Sequence, residues 1–194
     1  MNPSHIHPEP AMPRYGGGFT MVELVVTLLV ASILAALGAP AFNRFVMNNR
    51  LASQTNDLVS AIQLTRSEAI KRNAGLRLCR TNSATANNCA GSIGSWENWI
   101  VRTVAGTGGS TVIRRGMVNT YGGTLTVNSN FTADIITFGS DGLARSGGNL
   151  INAGLNDDNV GFHVCSTSRP TENIRDLVLG VSSRITIEKK DGSC

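Results

Sequence analysis

Residues 16–40 read GGGFTMVELVVTLLVASILAALGAP, and the rest of the chain is best understood from this stretch outward. From Phe19 to Ala39 run 21 residues in which Glu23 is the only charge. At about 1.5 Å of rise per residue, a helix of that length covers roughly 30 Å, the hydrocarbon thickness of a bilayer. A carboxylate placed in lipid costs about 2.5–3.5 kcal/mol on insertion scales, so Glu23 requires a partner or an escape to the interface. The stretch makes a poor secretory signal, because its apolar run is too long and its small residues, Gly16 to Gly18, precede that run. Cutting the chain after Gly18 would leave the helix attached and create an α-amine on Phe19. The same amine on a neighbouring copy is a counter-charge for Glu23. The competing reading is an ordinary anchor whose glutamate is incidental.

Upstream, MNPSHIHPEPAMPRYGGG (1–18) has no helical or strand periodicity and reads as a disordered leader, kept cytoplasmic by Arg14. Downstream, Pro40 lacks a backbone donor and predicts a bend or loosening in any helix that passes through it. Phe45, Leu51, Leu58, Ile62, Leu64, Ala69 and Ile70 then follow a three-and-four spacing, which predicts an amphipathic helix over 41–74 with its stop near Asn73 and Gly75. Beyond it the pattern changes to short β-rich runs: GLRLCRT, ENWIVRTV, STVIRRGMV, GTLTVN, DIITFG, VGFHVCS, RDLVLGV and SRITIEKK. SATANN, AGTGGS and SGGNLINAGLNDDN read as loops, and none begins a helix as a phosphate-binding loop requires. The expected fold is α+β, a long helix packed on an antiparallel β-sheet head over 75–194. Trp96, Trp99, Phe138 and Phe162 are its expected core strand residues, with Trp99 sharing a face with Val101.

The bulk numbers suit one modest domain plus one membrane segment: 194 residues, 41% hydrophobic, with 17 basic against 13 acidic side chains. A net charge of +4 is too small to imply nucleic acid by itself. The four cysteines, Cys79, Cys89, Cys165 and Cys194, fit no zinc spacing. In an oxidising compartment the simplest of three connectivities pairs Cys79 with Cys89 and Cys165 with Cys194, the alternative being buried free thiols. His163 is the lone imidazole outside the leader, and no nucleophile elbow or metal-ligand spacing accompanies it. A non-enzyme without metal or cofactor is expected.

Gly18, Phe19, Thr20 and Glu23, followed by the aliphatic run and Pro40, resemble the class III leader and N-terminal helix of type IV pilins and type II secretion pseudopilins. The resemblance implies cleavage by a prepilin peptidase between Gly18 and Phe19, N-methylation of Phe19, a role for Glu23 in subunit packing, and an assembly helix over 19–40 that can melt at Pro40. Farther on, LRLCRTNSATANNCAGSIGSWENWIV (76–101) and ITFGSDGLAR (136–145) are similar to the FimT, FimU and GspH group of minor pilins and pseudopilins. That group implies an inner-membrane, single-pass protein with a periplasmic head, assembling with other minor pilins and the major pilin, or with pseudopilins, at a filament tip.

Some FimT-like members bind DNA through a C-terminal Gly-Arg-x-Arg motif. The stretch here reads Ser183-Arg184-Ile185-Thr186, so Arg184 alone is retained. Arg169, Arg175, Lys189 and Lys190 crowd the same C-terminal region and form, with Arg184, a candidate phosphate-binding set, against the simpler reading of a solvated face. No aromatic side chain accompanies them to stack bases. Three readings therefore stand side by side: a tip or initiation subunit of a type IV pilus, a DNA-binding minor pilin of natural transformation, and a minor pseudopilin of type II secretion.

Overall fold

The computed structural model describes residues 18–104, 109–151, 160–168 and 171–194. Helix α1 spans Met21–Arg72 and is unbroken at Pro40, which lies inside it. The chain divides into two units, one ending at Phe42 and the other Asn43–Cys194. In the first unit the apolar side chains of α1 are exposed: Leu24, Leu28, Ile33 and Leu37 all face outward.

In the second unit, α1 buries Met47, Leu51, Gln54, Thr55, Leu58, Ala61, Ile62, Thr65 and Ala69, a stripe at three-and-four spacing. The stripe differs from the apolar pattern of the sequence at both ends, since Phe45 and Ile70 are exposed. Two threonines sit in the stripe at no polar cost, because Thr55 Oγ1 donates to Leu51 O and Thr65 Oγ1 to Ala61 O, each at 2.7 Å. The helix closes on a Schellman motif. Asn73 takes the left-handed conformation (φ 47°), its N–H donates to Ile70 O, and Ala74 N–H donates to Ala69 O. Asn73 thus makes the turn, while Gly75 is wanted for space: a Cβ there would come within 3.1 Å of Val104.

Among the described residues, ten strands follow: β1 Leu76–Thr81, β2 Asn98–Thr103, β3 Val112–Met117, β4 Leu125–Ser129, β5 Ile135–Phe138, β6 Ala144–Ser146, β7 Asn149–Leu150, β8 Gly161–Ser166, β9 Ile174–Leu179 and β10 Ile185–Lys190. They form two antiparallel sheets, β3-β2-β1-β5-β6-β7 and β10-β9-β8-β4. Eight strands coincide with the β-rich runs of the sequence. The other two, β6 and β7, make a hairpin that reaches into SGGNLINAGLNDDN, expected as loop. Its strands are too short and polar to leave an alternating pattern, and Gly147 and Gly148 supply the positive φ of the turn.

The inner faces of both sheets and the helix stripe share one core that includes Leu76, Leu78, Val101, Phe138, Val164 and Leu177. Trp99 is buried beside Val101 on β2, and its ring lies over Gly116 on β3, where a Cβ would approach the ring to 2.1 Å. Trp96 is equally buried but precedes β2. Its N–H donates to Val127 O across to the second sheet, and its ring meets Phe162 edge-on at 4.7 Å.

Candidate functional site

The start of α1 is built by two residues. Thr20 Oγ1 accepts the N–H of Glu23 at 3.2 Å, and Thr20 O accepts the N–H of Leu24, the first helical bond. Thr20 is therefore the N-cap and Glu23 the N3 residue, the T-x-x-E arrangement of a capping box. A carboxylate in the first turn is also favoured by the unpaired N–H groups there. Phe19 stands 80% exposed and Met21 85% exposed beside it, so the one acid of the apolar stretch 19–39 lies close to the residue that cleavage after Gly18 would make the N-terminus. This helix is long and apolar enough to cross a membrane, and its apolar window is unburied. At Pro40 the missing N–H leaves Ala36 O without its helical donor, so the weakening is a lost bond inside a continuous helix.

Two disulfides close the second unit, Cys79 to Cys89 and Cys165 to Cys194, and no described cysteine is free. The first ties the loop after β1 back onto that strand. The second ties the chain end to β8, and Asn173 seconds it: its Nδ2 donates to Gly192 O at 2.7 Å and its Oδ1 accepts Gly192 N–H at 3.1 Å.

The basic C-terminal residues do not form one face. Arg175 is buried, with Nη1 donating to Glu172 O and Ile174 O and Nη2 to Asn48 Oδ1 of α1. Its side chain points to the core side of β9, the same side as Leu177, so it is removed from any phosphate-binding set. Lys190 lies on the outer side, where Nζ sits 2.9 Å from Glu188 and 3.0 Å from Asp176. The hydrogen bonds that its ammonium donates to Glu188 and Asp176 raise its pKa, and the two carboxylates neutralise its charge locally. Arg184 and Lys189 are exposed, while Arg169 lies outside the described residues. Among the described residues of the set, Arg184 and Lys189 remain as exposed cations.

His163 also lies on the outer face of the second sheet, Nδ1 2.7 Å from Asp176 Oδ1, beside a cavity of about 300 Å³ lined by Asn128, Gly161, Phe162 and Val178. Ser129 lines the same cavity, but its hydroxyl donates to Asp134 at 2.6 Å and accepts from Trp96 Nε1. The Ser129 hydroxyl is thereby turned to Asp134 and Trp96. Among the described residues, no group of three or more His, Cys, Asp or Glu is placed to hold a metal.

A feature the sequence reading passed over lies on the outer face of the first sheet. Arg77 on β1 stands directly opposite Arg102 on β2, and Arg115 on β3 shares that face through its pairing with Ile100. Three arginines spaced through three separate runs leave no local charge cluster in the sequence. Only strand pairing brings them together.

Comparison with known proteins agrees with this architecture. Residues 54–170 match the family model described as Type II transport protein GspH, and residues 14–39 match the prokaryotic N-terminal methylation motif. Two crystal forms of the type IV minor pilin FimU of Pseudomonas aeruginosa are similar in structure. One has 20% identity and a TM-score of 0.52, covering 77% of this chain and 98% of FimU. The other has 19% identity and a TM-score of 0.49, covering 74% and 98%. The first of these shows a shared fold. Since the matched family model takes in the end of α1 and most of the β-strands, more than half of the chain, the protein belongs to the Type II transport protein GspH family and is a pilin-like subunit of the FimT, FimU and GspH type.

Proposed function

We propose that this protein is a minor type IV pilin that takes part in starting filaments and sits at or near their tip. A prepilin peptidase cuts between Gly18 and Phe19, releasing residues 1–18, and Phe19 is N-methylated. Residues 19–40 anchor the subunit in the inner membrane, with the β-domain in the periplasm, and later join the filament core beside the major pilin and other minor pilins. Glu23 then pairs with the Phe19 amine of an adjoining subunit, and Pro40 marks where the helix yields on assembly. The observation that carries this reading is the exposed apolar part of α1, residues 21–39, whose sole acid stands in the first turn, four residues past Phe19. Two disulfides support a periplasmic, oxidising location for the β-domain.

Mass spectrometry of the mature protein tests the processing: the expected N-terminus is methylated Phe19, and any other terminus refutes it. For assembly, Glu23→Ala should be processed normally yet be depleted from sheared filaments. Incorporation at the wild-type level would remove the pairing role. The match to the GspH family favours one second reading, a minor pseudopilin of type II secretion. Deletion separates the two: lost pili or twitching marks the pilus, while failed export with normal pili marks secretion.

A further inference from the structure

We infer that the free edge of β3 is a docking site for an extended, acidic segment of a partner protein, which joins the six-stranded sheet as a further antiparallel strand. β3 ends the sheet order and pairs on one side only, with β2. Val118 N–H donates to Glu97 O, and Gly116 and Arg114 follow in register opposite Trp99 and Val101. In an antiparallel pair these alternate residues spend their backbone groups on the neighbouring strand. Arg115 and Met117, lying between them, therefore turn their N–H and C=O groups away from β2, and no backbone group among the described residues takes them up.

The other sheet edges are not open in this way. β4 gives Val127 O to the Trp96 N–H, β7 is two residues long, and β10 sets Glu188, Lys189 and Lys190 in a row. Consecutive charges keep an edge from pairing. β3 carries Arg114 and Arg115, but the Arg115 guanidinium is drawn onto the loop after β1, where it donates to Ala86 O and Asn87 Oδ1. A hollow lies on either side of the strand. On the helix side it is lined by Asp57, Ser60 and Ala61 of α1 together with Trp99 and Gly116. On the loop side Asn87, Ser110 and Thr111 border residues 112–115. An added strand sends alternate side chains into the two hollows, so that backbone bonds give affinity and the hollows give selectivity.

The lining fixes the chemistry of the occupant. Gly116 has no side chain, and the Trp99 ring lies over it. The residue of the added strand that faces Gly116 rests on that ring and on Ala61, and is apolar. The residue that faces Arg114 is an acid, because Arg114 is exposed and no described carboxylate pairs with it. The two arginines of the strand outweigh Asp57, the one acid lining the hollows. A second copy does not supply such a segment: of the edge strands β3, β4, β7 and β10, none has a net negative charge. Two copies of β3 would set four arginines and no carboxylate along one seam. The partner is therefore a different polypeptide. Its strand reads apolar, apolar, neutral, acidic against Met117, Gly116, Arg115 and Arg114. The inference does not depend on the tip role proposed above.

The test titrates a fluorescein-labelled peptide, Gly-Val-Leu-Thr-Glu-Gly-amide, against the full chain in detergent micelles, read by anisotropy and by amide NMR shifts. The backbone amides of Arg115 and Met117 should shift most. Two methylated peptides decide whether a strand is added. N-methylation of the valine and threonine blocks the N–H groups that face β3 and should abolish binding. N-methylation of the leucine and glutamate blocks those that face away and should leave affinity within about twofold. Lysine in place of the peptide glutamate should weaken binding by about fivefold or more, and Arg114→Glu should reverse the preference.

That reversal is a gain of binding to the lysine peptide, which a misfolded variant would not show. Absence of shifts at Arg115 and Met117, equal binding of the two methylated peptides, or an unchanged preference in Arg114→Glu would each overturn the inference. So would dimerisation of the full chain that the glutamate peptide displaces, since a second copy would then be the occupant. None of these readouts depends on cleavage after Gly18 or on filament incorporation, so this result stays distinct from the assembly test.

Discussion

At the scale of single residues, Asp134 links parts of the fold that are far apart in sequence. Its fully buried carboxylate accepts from Arg80 Nε at 3.0 Å, Gly94 N–H at 2.7 Å and Ser129 Oγ at 2.6 Å, joining β1, the loop before β2 and β4. Asp134→Ala leaves Arg80 largely buried beside unpaired donors and should cost about 3–5 kcal/mol, measured by denaturant unfolding. Gly116 is held to glycine by the Trp99 ring lying over it. Gly116→Ala should cost about 1–3 kcal/mol by displacing that ring, and near-UV circular dichroism should register the movement. Asp141 supplies a pH signature. Hydrogen bonding from Arg145, with the Leu143 N–H second, lowers its pKa from 3.8 to about 2. Because the folded value is the lower one, the stabilisation is complete above the ordinary carboxylate range and drains away as pH falls toward 2. The difference in melting temperature between wild type and Asp141→Asn should be constant above about pH 5 and shrink on acidification. Neither Asp134 nor Gly116 stands out in the sequence, since their significance lies in atoms contributed by distant strands.

At the scale of elements, local chemistry and tertiary packing divide the work. The beginning and end of α1 are written locally: Thr20 and Glu23 cap the start, and Asn73 turns the end. Thr20→Ala should destabilise the first turn by about 1 kcal/mol, seen as faster amide exchange at Glu23 and Leu24. The buried stripe of the same helix was less legible, because Thr55 and Thr65 satisfy their hydroxyls within the helix and so pack as small apolar residues. Strand β10 lies at the edge of its sheet, held by β9 on one side, and the chain end beyond it is fixed to β8 by Cys165–Cys194. For a closure of this length the disulfide contributes about 3–4 kcal/mol. Cys194→Ser should therefore expose the C-terminal strand to proteolysis while leaving membrane insertion intact, and unchanged protease resistance would contradict that role.

At the scale of the molecule, the described core lies within Asn43–Cys194, which holds both disulfides and both sheets. A chain beginning at residue 43 should remain soluble without detergent and unfold in one cooperative transition, with loss of that transition on reduction marking the contribution of the two bridges. Composition and periodicity by themselves determined the division into a helix with an apolar first part and a β-rich domain, the sole acid of that apolar part and the eight principal strands. Those features are local, fixed by a span of about 20 apolar residues and by short alternating runs. Only the tertiary structure decided which cations face solvent. Arg175 looked like its neighbours in sequence but turns to the core side of β9, Lys190 is met by two carboxylates, and Arg77, Arg102 and Arg115 converge from separate strands. Charge at a surface depends on strand register and on what lies opposite, and neither is carried by the residues nearest in the chain.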